Sequence, residues 1–139
     1  MFEVRLATRQ DANKVFDVAR DFATSFELDR DTFDSSFQCL LEGQDAWLGV
    51  AHAPPGVVGY LLGFDHLTFF ANGRVSWVEE VAVDKHWRRR GVGSTLIKRF
   101  ERWARSRGSK LCALATRRAE PFYSAIGHQA SATYFRRLL

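Results

Sequence analysis

The chain has 139 residues, of which 46% are apolar, 14% aromatic and 26% charged. That composition excludes a disordered chain, and the length suits one domain over residues 1–139 whose core needs no staples. The net charge of +4 is modest, and no run approaches the ~18 apolar residues that a membrane span needs.

Phe2 to Ala7 alternates polar and apolar residues, as a strand does. Thr8-Arg9-Gln10-Asp11 suits a capping box that opens a helix. Ala12, Val15, Phe16, Ala19 and Phe22 then recur at helical spacing. A second helix, capped by Asp29 or Asp31, carries the apolar stripe Phe33, Phe37, Leu40 and Leu41. Trp47 to Ala53 and Val57 to Phe64 flank Pro54-Pro55-Gly56 and read as a hairpin. Asn72-Gly73 is a turn signal before a long strand, Val75 to Val83. Gly91 to Arg107 is the strongest helix, with Leu96, Ile97, Phe100, Trp103 and Ala104 on one face and Gly108 as its stop. A short strand over 111–115, a short helix over 121–126 and a last strand over 130–135 complete the chain. The order β-α-α-β-β-β-α-β-α-β predicts an α+β layered domain: a mixed, mostly antiparallel sheet flanked by helices.

Charge is unevenly spread. Between Lys85 and Arg107 there are nine basic residues and one acid, Glu101, whereas Asp11 to Asp45 holds nine acids and three basic residues. This polarity suggests an anionic ligand at one segment and a cationic one at the other. The basic run is too short, and the rest of the chain too acidic, for a surface that tracks nucleic acid. Cys39 and Cys112 each sit in an apolar run and are expected to be buried free thiols of a cytoplasmic protein. No His-Glu-x-x-His or paired-cysteine pattern is present, His52, His86 and His128 have no partner at metal-ligand spacing, and no metal is expected. His66 is expected to be structural.

The segment that carries chemistry is Val81-Ala82-Val83-Asp84-Lys85-His86-Trp87-Arg88-Arg89-Arg90-Gly91-Val92-Gly93-Ser94. It runs from a buried strand through a basic loop into a helix N-terminus, where backbone N–H groups lack partners and the helix dipole is positive. Gly91 and Gly93 leave room for an anion to approach, Ser94 offers a hydroxyl, and Arg88, Arg89 and Arg90 add charge. That is a phosphate or pyrophosphate cradle. A Walker loop is absent, and Leu96 stands where a dinucleotide fingerprint needs a third glycine.

Arg88-x-x-Gly91-x-Gly93 after a Val-rich strand resembles the coenzyme A pyrophosphate loop of the GNAT superfamily, the Gcn5-related N-acetyltransferases. Ala119-x-x-Phe122-Tyr123-x-x-x-Gly127-His128 resembles the second motif of that family, and the order of elements matches along nearly the whole chain. Two positions depart from the pattern: Thr116 stands where the family often has Asn, and His128 where it has Phe.

The resemblance implies acetyl transfer from acetyl-CoA to a primary amine. Backbone groups of Val81, Ala82 and Val83 would pair with the pantetheine arm, and Arg88 to Ser94, including Val92, would hold the pyrophosphate. Thr116 would stand in for the Asn that bonds the coenzyme. Glu79 or Glu80 would assist loss of the amine proton, provided that a bulge lets one of them face the cleft. Tyr123 would protonate the leaving thiolate, and the Val81 N–H would meet the carbonyl oxygen. The acidic Asp11–Asp45 region hints at a small cationic amine or a peptide amine as acceptor. A competing reading is a catalytically degenerate domain that binds coenzyme A as a sensor, which the loss of Asn at Thr116 favours. Two uses suit the apolar loop Phe69-Phe70-Ala71-Asn72-Gly73, a homodimer contact or a wall for the acceptor, and the sequence does not choose between them.

Overall fold

The computed structural model describes all residues, 1–139. Strands β1 (Glu3–Leu6), β2 (Ala46–Ala53), β3 (Gly56–Thr68), β4 (Gly73–Val83) and β5 (Cys112–Leu114) form one sheet in that order. The first four pair antiparallel, and β5 joins β4 in parallel. Helices α1 (Ala12–Phe22) and α2 (Arg30–Glu42) lie between β1 and β2, α3 (Val92–Ser106) between β4 and β5, and α4 (Glu120–Ala125) follows β5. No helix is long and apolar enough to cross a membrane.

The alternation of the strands feeds two cores. On one face Trp47, Ala51, Leu61 and Val78 meet Leu96, Ile97 and Phe100 of α3. On the other, Leu48, Val50, Tyr60 and Leu62 meet Val15, Val18 and Ala19 of α1 and Phe37 of α2. The stripe read for α3 becomes its buried face, and Val15, Phe16 and Ala19 of the α1 stripe are buried, whereas Phe22 at the end of α1 is exposed and Phe37 alone of the α2 stripe is fully buried. Asp29 caps α2, accepting from the Thr32 N–H at 2.9 Å. The Thr8–Asp11 box opens a 3-10 turn ahead of α1, with the Thr8 N–H donating to Asp11 at 2.8 Å.

A buried carboxylate locks the end of the sheet remote from the basic loop. The Asp65 side chain is fully buried and accepts from Arg74 and Arg107, each at 2.9 Å, while Arg107 also reaches Asp45 at 2.7 Å. Arg107 lies 4.9 Å from the ring centroid of Trp103. One anion thus gathers β3, β4, the end of α3 and the loop before β2.

Two expectations need correction. The strand expected over 130–135 is absent, and the sheet ends at β5 with five strands rather than six. Ala130, Ser131, Ala132 and Thr133 offer little apolar surface to hold a ladder, and residues 129–139 are exposed, with Arg136 donating to Ser25 Oγ at 3.2 Å. Cys39 is exposed and Cys112 half-buried, not two core thiols; Cys39 falls on the outer side of α2, where Phe37 takes the core position. The Phe69–Gly73 loop is the tip of the β3–β4 hairpin, with Phe69 fully exposed.

Candidate functional site

A cleft of about 980 Å³ opens where β4 runs into the basic loop. Its origin is a divergence of strands. β5 pairs with β4 only through Ser76, Trp77 and Val78. From Glu79 to Val83 the edge of β4 that faces away from β3 has no strand partner, while the opposite edge stays paired with β3 through Val83↔Gly59. Backbone N–H and C=O groups along this edge are free to bond an extended ligand.

The divergence coincides with a bulge. Leu62 lies opposite Glu80 and Gly63 opposite Val78, which leaves Glu79 unpaired. The extra residue breaks the two-residue alternation. Val78 and Val81 therefore both face the α3 side, and Glu80 and Ala82 face the α1 side. Glu79 is exposed. Glu80 is half-buried, and its Oε1 accepts from the Tyr60 hydroxyl at 2.6 Å. Burial, and then the Glu80 carboxylate, push the Tyr60 phenol far above the ordinary tyrosine range. The sequence reading missed Tyr60; its one signal was a hydroxyl inside an otherwise apolar strand, which must find a partner.

Beyond Val83 the chain makes a 3-10 turn, Lys85–Trp87, held by Asp84, whose carboxylate accepts from the His86 N–H at 2.8 Å. Arg89 (φ 62°) and Gly91 (φ 83°) then both take the left-handed conformation. Such alternation curls successive N–H groups into a concavity suited to an anion. α3 starts immediately after. Its first intrahelical bond runs from Thr95 N–H to the Gly91 carbonyl at 3.0 Å, so the N–H groups of Val92, Gly93 and Ser94 have no helical acceptor. Gly93 is closely overlaid, since a Cβ there would stand 3.4 Å from the Phe122 ring.

The cleft brings together Val81, Ala82, Val83, Arg88, Arg89, Gly91, Val92, Gly93, Ser94 and Tyr123. Arg90 is not among its walls; its guanidinium lies 4.8 Å from the ring centroid of Trp87. The Ser94 hydroxyl turns inward, donating to the Gly91 carbonyl at 3.2 Å. Thr116 also stands outside, its hydroxyl accepting from the Ala119 N–H at 3.1 Å at the start of α4. Neither Glu79 nor Glu80 lines the main cleft, nor does the Phe69–Gly73 loop. Tyr123 is buried between Phe122 and His128, at ring distances of 5.0 and 5.7 Å, and burial pushes its phenol above the ordinary range. The α1 wall, part of the acidic Asp11–Asp45 region that the sequence linked to a cationic acceptor, contributes Lys14, Asp17, Asp21 and Phe22. One wall is thus basic and largely backbone, and the facing wall carries two carboxylates beside one lysine.

Comparison with known proteins bears on this arrangement. No curated protein matches the sequence. Among solved structures, an acetyltransferase from Trypanosoma brucei is 23% identical with a TM-score of 0.86, covering 100% of both chains. Glucosamine-6-phosphate N-acetyltransferase from Arabidopsis thaliana is 18% identical with a TM-score of 0.88, covering 99% of this chain and 98% of that one. An aminoglycoside acetyltransferase from an uncultured soil metagenomic sample, solved in complex with sisomicin, is 17% identical with a TM-score of 0.80, covering 99% and 96%. At these identities the likeness is one of fold. The family model for acetyltransferase (GNAT) matches residues 9–128, and on that match the chain belongs to the acetyltransferase (GNAT) family.

Proposed function

We propose that the protein is an acetyl-CoA-dependent N-acetyltransferase acting on a primary amine, either a small cationic amine or a peptide amine. The observation that carries this reading is the free edge of β4 from Glu79 to Val83 lying beside the Arg88–Ser94 concavity. A ligand that is extended at one end and doubly anionic at the other fits those two features, and coenzyme A has that form.

The thioester supplies an activated acetyl group. The chain's own residues supply positioning and proton transfer. The free edge around Val81, Ala82 and Val83 orients the pantetheine arm. The N–H groups of Val92, Gly93 and Ser94, with Arg88 and Arg89, hold the pyrophosphate. A backbone N–H at Val81 is the donor for charge that develops on the carbonyl oxygen. Glu80 is favoured over Glu79 as the base, because Tyr60 fixes one of its oxygens and leaves Oε2 free; standing outside the cleft lining, it takes the amine proton through a water. Tyr123 keeps its proton at neutral pH and is the donor for the leaving thiolate. Asp17 and Asp21 attract the cationic acceptor. This aminoglycoside-like or amine-like choice is also supported by the aminoglycoside acetyltransferase of like fold.

A second reading, a degenerate domain that only binds coenzyme A, is favoured by Thr116, whose hydroxyl is engaged with Ala119 rather than directed to the cleft. Free-thiol release from acetyl-CoA with a panel of amines separates the two. The Phe69–Gly73 loop is not among the cleft's lining residues, which favours the homodimer contact of its two uses, and measurement of the mass in solution by light scattering tests it.

A further inference from the structure

Behind Tyr123, outside the cleft, three potential metal ligands from distant parts of the chain converge. Glu101 lies on α3, Cys112 opens β5, and His128 follows α4. One ligand atom from each lies within 4.8 Å of the other two. His128 Nε2 is 3.7 Å from a Glu101 oxygen, and His128 Nδ1 is buried without a hydrogen-bond partner. We propose that Glu101, Cys112 and His128 form a zinc site.

The ligand chemistry selects the ion. A thiolate, an imidazole and a carboxylate together suit zinc, whereas magnesium and calcium take oxygen ligands. Zinc bonds of about 2.0–2.3 Å set ligand atoms about 3.3–3.8 Å apart, so closure of the cluster needs shifts of an ångström or less. Three protein ligands leave a fourth position for water. The strongest pointer is the convergence itself, a carboxylate, a thiol and an imidazole brought within 4.8 Å of one another from three separate parts of the chain; the same imidazole keeps a second, buried nitrogen, Nδ1, that no other group holds in place. On binding, Zn²⁺ replaces the Cys112 thiol proton, which passes to solvent, and the thiolate becomes the ligand.

The position also gives the ion a role. The His128 N–H donates to the Tyr123 carbonyl at 2.9 Å. A metal held by His128, Cys112 and Glu101 would pin the segment that carries Tyr123 to α3 and β5. Sequence spacing does not reveal the cluster, because Glu101, Cys112 and His128 come from α3, β5 and the segment after α4.

The test is zinc titration of the full chain against a chromophoric chelator, together with the absorption spectrum of the cobalt-loaded protein. The wild type should hold one zinc and show a thiolate-to-cobalt band. Cys112→Ser, His128→Ala and Glu101→Gln, with folding checked by circular dichroism, should each weaken zinc at least about 100-fold, since loss of an outer-sphere partner alone costs about 10- to 100-fold. Cys39→Ser should change nothing. Chelator should lower the Tm of the wild type, a readout that needs no variant. Folded wild type that holds no zinc, or zinc binding that survives Cys112→Ser without a thiolate band, overturns the proposal.

Discussion

The Tyr60 hydroxyl donates to Glu80 Oε1 at 2.6 Å across the β3–β4 pair, at the bulge where β4 leaves β5. A short bond from a neutral phenol to a carboxylate is charge-assisted and fixes the carboxylate in one orientation. Removing the donor should therefore loosen the base without removing it. Tyr60→Phe should lower kcat/KM by about tenfold, whereas Glu80→Gln should lower it by roughly 10²–10⁴-fold and abolish the acidic limb of the pH profile. Steady-state kinetics over pH check both, with Glu79→Gln as the comparison expected to stay near wild type.

Burial of Tyr60, with the Glu80 carboxylate beside it, makes an alkaline signature. Tyrosine in the unfolded chain loses its proton near 10.0, and folded Tyr60 keeps it to higher pH. Above that value the unfolded state binds fewer protons than the folded one, so stability falls as pH rises. The contribution is fully present below about pH 10 and is lost above it. The Tm of the wild type should fall more steeply between about pH 9 and 11 than that of Tyr60→Phe. Parallel slopes would show that Tyr60 does not carry the effect.

Coenzyme affinity should divide the three arginines. Arg88 and Arg89 line the cleft, and Arg90 lies over Trp87. Arg88→Ala and Arg89→Ala should each weaken coenzyme A by about tenfold, about 1.4 kcal/mol, with a much smaller effect on pantetheine, which lacks the pyrophosphate. Arg90→Ala should cost less than either. Gly93→Glu should weaken coenzyme A at least about tenfold, because it brings a negative charge and a side chain against Phe122. Calorimetry on the folded variants checks each value.

Asp65 tests the fold apart from the chemistry. Its fully buried carboxylate is shared by Arg74 and Arg107. Asp65→Ala removes the buried anion from Arg74 and Arg107, which are partly exposed and keep Asp45 as a partner, and should cost about 1.5–3 kcal/mol. Urea denaturation measures it. A loss under about 1 kcal/mol would mean that the network is merely a surface ion pair.

Much of this site was legible in the sequence because its signals are local. Gly91 and Gly93 stand at a helix start, and the Val-rich run before them marks a buried strand. Three features were not legible. Tyr60 and Glu80 meet only through strand register, and the bulge that sets it depends on the pairing of Leu62 and Gly63. Arg88, Arg89 and Arg90 look equivalent in sequence, and what separates them is the left-handed turn at Arg89 and the Trp87 ring. Ala130 to Phe135 reads as a strand by its end residues, but strand formation needs a neighbour, and none pairs with it.

Tyr123→Phe removes one hydroxyl from a buried ring. It should slow acetyl transfer by roughly 10²-fold while coenzyme affinity changes little, because the proton is needed only as the C–S bond breaks. A variant that loses stability yet turns over normally when folded would assign Tyr123 to packing.

The most direct test of the central claim is release of free coenzyme A thiol from acetyl-CoA with a panel of small cationic amines and peptide amines, using wild type and Glu80→Gln in parallel. The account predicts saturable, amine-dependent thiol release by the wild type with at least one of these acceptors, and a loss of roughly 10²–10⁴-fold in Glu80→Gln at unchanged coenzyme affinity. Tight coenzyme binding with no thiol release for any amine in the panel would contradict it and leave a binding domain without chemistry.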